Sequence, residues 1–244
     1  MATMQNKEWI LMALQKAKLD LQGQFLIGSN YTFMCNLTYE SADLTAVYKP
    51  ARGEQPLWDF PPGTLAKREV AAFWVSEALG WDLVPPTVYR QDELPLGPGS
   101  LQLYIDHDPE YHYFRFTEAE KQRLRPVALF DLLVNNADRK AGHILCDRQD
   151  HLWLIDHGVC FHTEDKLRTV VWDFAGEAID KGLSDDLCTF TGDLQVTDEY
   201  RCHLEELLSR HEIGSLATRA QRLVESGFFP YPSGRRRPYP WPPV

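Results

Sequence analysis

The chain has 244 residues, 44% of them hydrophobic, with 35 acidic against 25 basic side chains and a formal net charge of -10. That length allows one large domain or two small lobes, and the acidic balance argues against a general nucleic-acid binder, which needs clustered Lys and Arg. Five cysteines, odd in number and without a C-x-x-C pair, argue against a disulfide framework or zinc knuckle and suit a reducing, cytoplasmic setting; no stretch approaches the roughly 18 apolar residues of a membrane span.

Residues 6–20 set Trp9, Ile10, Ala13, Leu14 and Ala17 at the spacing of an amphipathic helix. From Gly23 to Pro50 the chain becomes β-branched and aromatic, with turns at Gly28-Ser29-Asn30 and at 40–43, which predicts a small antiparallel sheet. After a Pro- and Gly-punctuated loop over 53–64, Val70, Phe73, Trp74, Glu77 and Ala78 predict a helix with Thr64 as N-cap and Gly80 as its stop. Residues 84–90 and 100–106 read as two more strands across a turn-rich connection. Beyond them Thr117 and Glu120 form a capping box, Pro126 kinks or restarts the helix, and 143–147 and 151–156 make a short strand pair. Tyr200, Leu204, Leu207 and Leu208, then Leu216, Ala220, Leu223 and Val224, give two further helices. The expected organisation is an N-terminal mixed lobe over 1–105, a mainly helical lobe over 106–230, and a Pro/Arg-rich tail over 231–244 lying on the surface or disordered. The tryptophans, Trp58, Trp74, Trp81, Trp153 and Trp172, are expected to pack core and lobes.

The loop "NNADRKAGH", 135–143, gathers polar groups between a greasy helix and a strand, and "LIDHG" then interrupts a hydrophobic strand with Asp156 and His157. A lone acid at a buried strand end needs a compensating charge, such as a metal ion or a base. Asp156 follows Asp138 by 18 residues, a hairpin length that returns the second carboxylate beside the first. One acid can then take a hydroxyl proton while the other holds a divalent ion. Lys49 ends a strand and Glu69 follows 20 residues later on a helix; taken singly each is an ordinary surface charge, but together they have the arrangement with which protein kinases hold a lysine on nucleotide phosphates. Gly28-Ser29-Asn30 is either a plain hairpin turn or a loop whose backbone N–H groups cover phosphate oxygens; it is neither a Walker A nor a G-x-G-x-x-G loop.

These residues resemble the atypical kinases that share a fold with phosphoinositide 3- and 4-kinases and with HipA-type bacterial protein kinases. Their D-R-H-x-x-N catalytic loop and D-x-G metal motif correspond to "DRKAGH", 138–143, and "DHG", 156–158. "SNYTF", "VYKP", "PLWDFP", "REVAAF", "VPPT", "NNADRK" and "IDHG" stand in the order found in a small bacterial family labelled phosphatidylinositol kinase-like, over roughly residues 20–180. The resemblance implies an α+β, bilobal, protein-kinase-like fold with ATP and Mg2+ or Mn2+ between the lobes. It further implies a catalytic group of Asp138, Arg139 and Lys140, metal ligands Asp156 and His143, and a nucleotide site of Ser29, Asn30, Lys49 and Glu69, with Gln102 and Leu103 at the adenine. His143 departs from the family's asparagine, and imidazole favours softer ions such as manganese over magnesium. Lys140 replaces the usual histidine. Lys166 and Arg168, close behind the metal motif, can meet an acidic or phosphorylated substrate. The implied activity is γ-phosphoryl transfer to a protein or small-molecule hydroxyl; a nucleotide-binding pseudokinase or regulatory module, or AMP transfer on the same fold, is the alternative. Neither nucleic acid nor stable membrane insertion is expected.

Overall fold

The computed structural model describes residues 7–25, 30–91, 94–196, 199–234 and 237–244. Helix α1 (Lys7–Lys16) leads into a five-stranded antiparallel sheet of β1 (Lys18–Gln24), β2 (Phe33–Tyr39), β3 (Ala42–Pro50), β4 (Thr87–Arg90) and β5 (Gly99–Leu103), in the order β1-β2-β3-β5-β4. The first helix is shorter than its apolar spacing predicts. Leu19 and Leu21 alternate, and Lys18–Gln24 pairs with β2 as a strand, so tertiary pairing overrides the helical reading of 17–20.

One face of the sheet is apolar and packs under α1: Leu14, Ala17, Cys35, Leu37, Ala46, Tyr48 and Leu101 form a buried cluster. Because side chains alternate along a strand, the other face carries Val47 and Lys49 of β3 opposite Gln102 and Ser100 of β5. Gly99 lets β5 close on β3 at this point, since a Cβ there would collide with the Lys49 carbonyl oxygen and Pro50 Cα. Helix α2 (Leu65–Ala78) packs on this sheet mainly against β4 and β5. Its start differs from expectation: Thr64 bonds Pro61 O instead of capping, and the orphan Ala66 N–H is taken by Glu54 Oε1 at 3.0 Å. Gly80 ends the element in the left-handed region, as its position predicts.

The capping box of Thr117 and Glu120 is present but opens a single turn, α3 (Glu118–Lys121). Pro126 then restarts the chain as α4 (Arg125–Val134). The hairpin of β6 (Ile144–Cys146) and β7 (Leu152–Leu154) follows, and α5 (Lys181–Asp193), α6 (Glu199–Leu207) and α7 (Arg210–Ser226) complete the helical part. A second core joins α2, α4, the hairpin and these helices through Phe73, Phe130, Leu133, Phe161, Phe174 and Leu216. Helix α5 was not expected; it is polar along most of its length and buries only Leu187 and Phe190. Trp58 corrects the expectation of a packing role, because it is 91% exposed and stands over Lys166 Nζ at 4.8 Å. The described part of the tail lies on the surface, held by backbone bonds from Thr169 N–H to Pro238 O (3.0 Å) and from Ala141 N–H to Pro243 O (2.8 Å).

Candidate active site

Helix α4 ends where Asn135 turns into the left-handed region at φ 57°, a conformation that asparagine tolerates better than most residues. Its side chain then anchors the chain beyond the metal motif: Nδ2 donates to the carbonyls of His162 (2.9 Å) and Glu164 (2.7 Å), and Oδ1 accepts the Lys166 N–H at 2.9 Å. Asn136, fully buried, accepts the Asp138 N–H at 2.9 Å and donates to Asp131. The two asparagines therefore brace the loop rather than face a ligand.

Arg139, expected in the catalytic group, is fully buried. Its guanidinium bonds Asp131 Oδ1 at 3.0 Å, Ile155 O at 2.7 Å and His157 Nε2 at 2.7 Å. It thus ties the 138–143 loop to the strand end before Asp156, and burial keeps it from meeting a substrate. Asp131, at the centre of this cluster, also accepts from Thr169 Oγ1 at 3.0 Å. Burial pushes its carboxyl up, against the pull of Arg139. Asp131 was not singled out from sequence, and His157 only as a break in a hydrophobic strand.

Asp138 is partly open, with 37% of its side chain exposed, and Lys140 Nζ lies 3.5 Å from Oδ2. Burial raises its pKa to about 6, helped by the charge on Asp156 and opposed by Lys140. Asp156 itself takes φ 64°, in the left-handed region that costs an L-residue roughly 1–2 kcal/mol. That turn directs its carboxylate to Lys49 Nζ (3.0 Å) and His143 Nε2 (3.3 Å). The Lys49 ammonium holds Asp156 well below the ordinary carboxylate range.

Lys49 also meets Glu69 Oε1 at 2.5 Å. Burial works against the charge on Lys49, but Asp156 and Glu69 together outweigh it and raise its pKa. The other Glu69 oxygen accepts the backbone N–H of His157 at 2.8 Å. One carboxylate from α2 thus fixes both a strand lysine of the sheet and the loop that carries Asp156.

Burial lowers the His143 pKa to about 4, so the ring is neutral near pH 7, and its Nδ1 is buried without a partner. A neutral imidazole nitrogen 3.3 Å from a carboxylate oxygen is a donor pair that one divalent cation can share. Among the described residues no group of three or more His, Cys, Asp or Glu that could hold a metal ion is found; a cation on the Asp156 and His143 pair would take its remaining ligands from phosphate oxygens and water.

Gln102 shares the Lys49 face of the sheet and donates to Thr87 Oγ1 at 2.9 Å, whereas Leu103 alternates to the opposite face and its N–H is taken by Pro86 O at 2.9 Å. Leu103 therefore offers no side chain to the Lys49 face. Asn30 Oδ1 accepts the Gln55 N–H at 2.7 Å; Ser29 lies outside the described residues.

No family model matches the chain. It is 39% identical over 279 aligned positions to Protein Rv2133c of Mycobacterium tuberculosis (strain ATCC 25618 / H37Rv), an alignment covering 98% of this chain and 96% of that protein. A segment covering 45% of the chain is 33% identical to Phosphatidylinositol 4-kinase gamma 4 of Oryza sativa subsp. japonica, of which it spans 22%. Among solved structures the Golgi casein kinase aligns over 90% of this chain and 73% of its own at 13% identity and TM-score 0.58, and its structure with Mn/ADP bound aligns over 90% and 74% at 13% and 0.56. The Helicobacter pylori proinflammatory kinase CtkA aligns over 88% and 94% at 11% identity and TM-score 0.55. The fold is thus bilobal and kinase-like, α+β, as the motifs imply. At 11–13% identity these solved structures show the fold alone.

Proposed function

The chain belongs to the family of the mycobacterial protein Rv2133c, and from its site we propose an ATP-dependent phosphotransferase that moves the γ-phosphoryl group to an acceptor hydroxyl. The supporting observation is the meeting of Lys49, Glu69 and Asp156, brought from β3, α2 and the loop after β7 to mutual distances of 2.5 and 3.0 Å. A half-buried lysine held by two carboxylates has a fixed ammonium and little freedom to leave the site, which is what cradling phosphates requires.

In this reading Lys49 binds the α- and β-phosphates and Glu69 keeps its amine aimed. Gln102 lies on the same sheet face, toward the adenine. Asp138 accepts the proton of the acceptor hydroxyl as its oxygen bonds to the γ-phosphorus, while the bond to the β-phosphate oxygen breaks and its electrons leave with ADP. Lys140, 3.5 Å from Asp138, offsets charge on the transferring group. Asp156 and His143 hold a divalent cation, Mg2+ or Mn2+, which when bound neutralises phosphate charge. Arg139 positions this loop from behind. The motif-level likeness to phosphoinositide and HipA-type kinases is consistent with this assignment but does not name the acceptor.

Parallel incubations with γ-labelled and α-labelled ATP, with magnesium or manganese, test the proposal. Transfer of the γ label that is abolished in Asp138→Ala, with nucleotide binding retained, is the expected result. Transfer of the α label instead would mark AMP transfer, and binding without either label moving would mark a regulatory module; both outcomes reject it.

A further inference from the structure

A cavity of about 570 Å³ lies beside the catalytic loop, walled by residues 163–168, by α7 and by the tail at Tyr231, Arg237 and Pro238. That volume is in the range of small-molecule sites, roughly 300–1,000 Å³. Lys166, Arg168, Arg219, Arg222 and Arg237 line it against one carboxylate, Asp165, in a chain whose overall balance is acidic. Lys166 is paired with Asp59 at 3.2 Å and Glu164 at 3.4 Å, but Arg168 and Arg222 have no ion-pair partner among the described residues. Arg219 is held by two carbonyls, Leu133 O at 2.8 Å and His162 O at 3.2 Å, and its Nη2 is buried without a partner. Burial lowers its pKa to about 10, against the pull of Asp165.

The cavity is wired to the reacting centre through Arg168. Its N–H donates to Asn136 O and its carbonyl accepts the Arg139 N–H, both at 2.9 Å, so it runs alongside the loop that carries Asp138. Its charge is also felt by the Asp138 carboxyl.

We infer that this cavity is the acceptor's anion site, receiving the phosphate of a small phosphorylated hydroxy compound whose free hydroxyl lies toward Asp138. The inference rests on the phosphotransferase reading. Clustered guanidinium groups suit phosphate because their planar forks donate paired hydrogen bonds, and a concave wall selects a small molecule over an extended chain. Lys166 and Arg168 alone are an ordinary solvated pair in sequence; the three arginines that α7 and the tail bring to them are what make a site.

Calorimetric titration with inorganic phosphate at low salt, without nucleotide, tests the site apart from turnover. The expected result is binding to the natural chain, about tenfold weaker in Arg222→Gln, as for the loss of one charge-assisted hydrogen bond, and weaker again in Arg222→Gln with Arg237→Gln. Both arginines are exposed, so the variants should fold. Phosphate affinity should persist in Lys49→Met while a non-hydrolysable ATP analogue no longer binds. No phosphate binding, equal binding in the arginine variants, or displacement of phosphate by the ATP analogue overturns the anion site. Failure of the natural chain to bind the ATP analogue rejects the phosphotransferase reading separately, and with it the acceptor role, while leaving the phosphate result as measured.

Discussion

Arg139 Nε lies 3.0 and 3.2 Å from the two carboxylate oxygens of Asp131, and neither side chain is exposed. Breaking a buried pair from one side leaves a desolvated charge, a loss of roughly 3–5 kcal/mol. Arg139→Met should lower the free energy of unfolding by that amount, with a lower denaturant midpoint, whereas Lys140→Met, at a partly open position, should change it by less than about 1 kcal/mol. A midpoint unchanged in Arg139→Met would reject the bracing role.

Asp138 with a pKa of about 6 sets a direction for the pH profile. In the proposed reaction the carboxylate, not the acid, is the form that accepts the hydroxyl proton. Raising pH through about 6 therefore increases kcat/KM to a plateau, and below it the rate falls about tenfold per pH unit. The acidic limb should vanish with the activity in Asp138→Asn. A profile flat between pH 5 and 8 contradicts Asp138 as the base.

Glu69 differs from a surface glutamate because one oxygen meets Lys49 and the other the His157 N–H. Glu69→Gln retains an oxygen acceptor but loses the charge that holds Lys49. Small misplacements at a reacting centre can cost about a hundredfold, so kcat should drop by up to that factor with the fold intact by circular dichroism. Nucleotide affinity should drop too, and full activity in the variant would show that Lys49 needs no partner from α2.

How much of this was readable in the chain depends on the range of the interaction. Lys49, Glu69 and Asp156 carry their meaning in residue type and order, and they converge as those types suggest. The hairpin of β6 and β7 was equally visible as two short apolar strands either side of a turn. Arg139 misled because its sequence neighbours are polar: only the fold shows that Asp131, one helix turn before the loop, turns the guanidinium inward. Leu103 failed on phase, since strand alternation sends it to the face opposite Gln102. Thr64 failed because Glu54, ten residues earlier, caps α2 in its place, and α5 was missed because a mostly polar sequence can still form a helix when Leu187 and Phe190 dock it. The tail lacks apolar periodicity altogether; backbone carbonyls hold it, and these leave no trace in side-chain pattern.

His143 stands where the resembled kinases have asparagine, and its ring is neutral near pH 7 with Nε2 3.3 Å from Asp156 Oδ2. Imidazole suits manganese better than magnesium. His143→Asn should shift the ratio of manganese-supported to magnesium-supported activity toward magnesium, read as initial rates at saturating nucleotide. An unchanged ratio would remove His143 from the cation's surroundings.

The tail contact bears on the same loop from outside. Ala141 is fully buried and donates its N–H to Pro243 O at 2.8 Å, while Thr169 N–H and Trp172 Nε1 both reach Pro238 O, at 3.0 and 3.2 Å. Removing residues 238–244 leaves these donors without their acceptors, and a lost bond to a buried donor costs about 1–3 kcal/mol. Because Ala141 lies between Lys140 and His143, the shortened chain should show faster amide hydrogen exchange at 139–143 and 168–172, with lower kcat and a smaller change in ATP affinity, since Lys49 and Glu69 stand on other elements. Exchange rates unchanged in both segments would mean that water replaces the tail at no cost and that the contact does not order the loop.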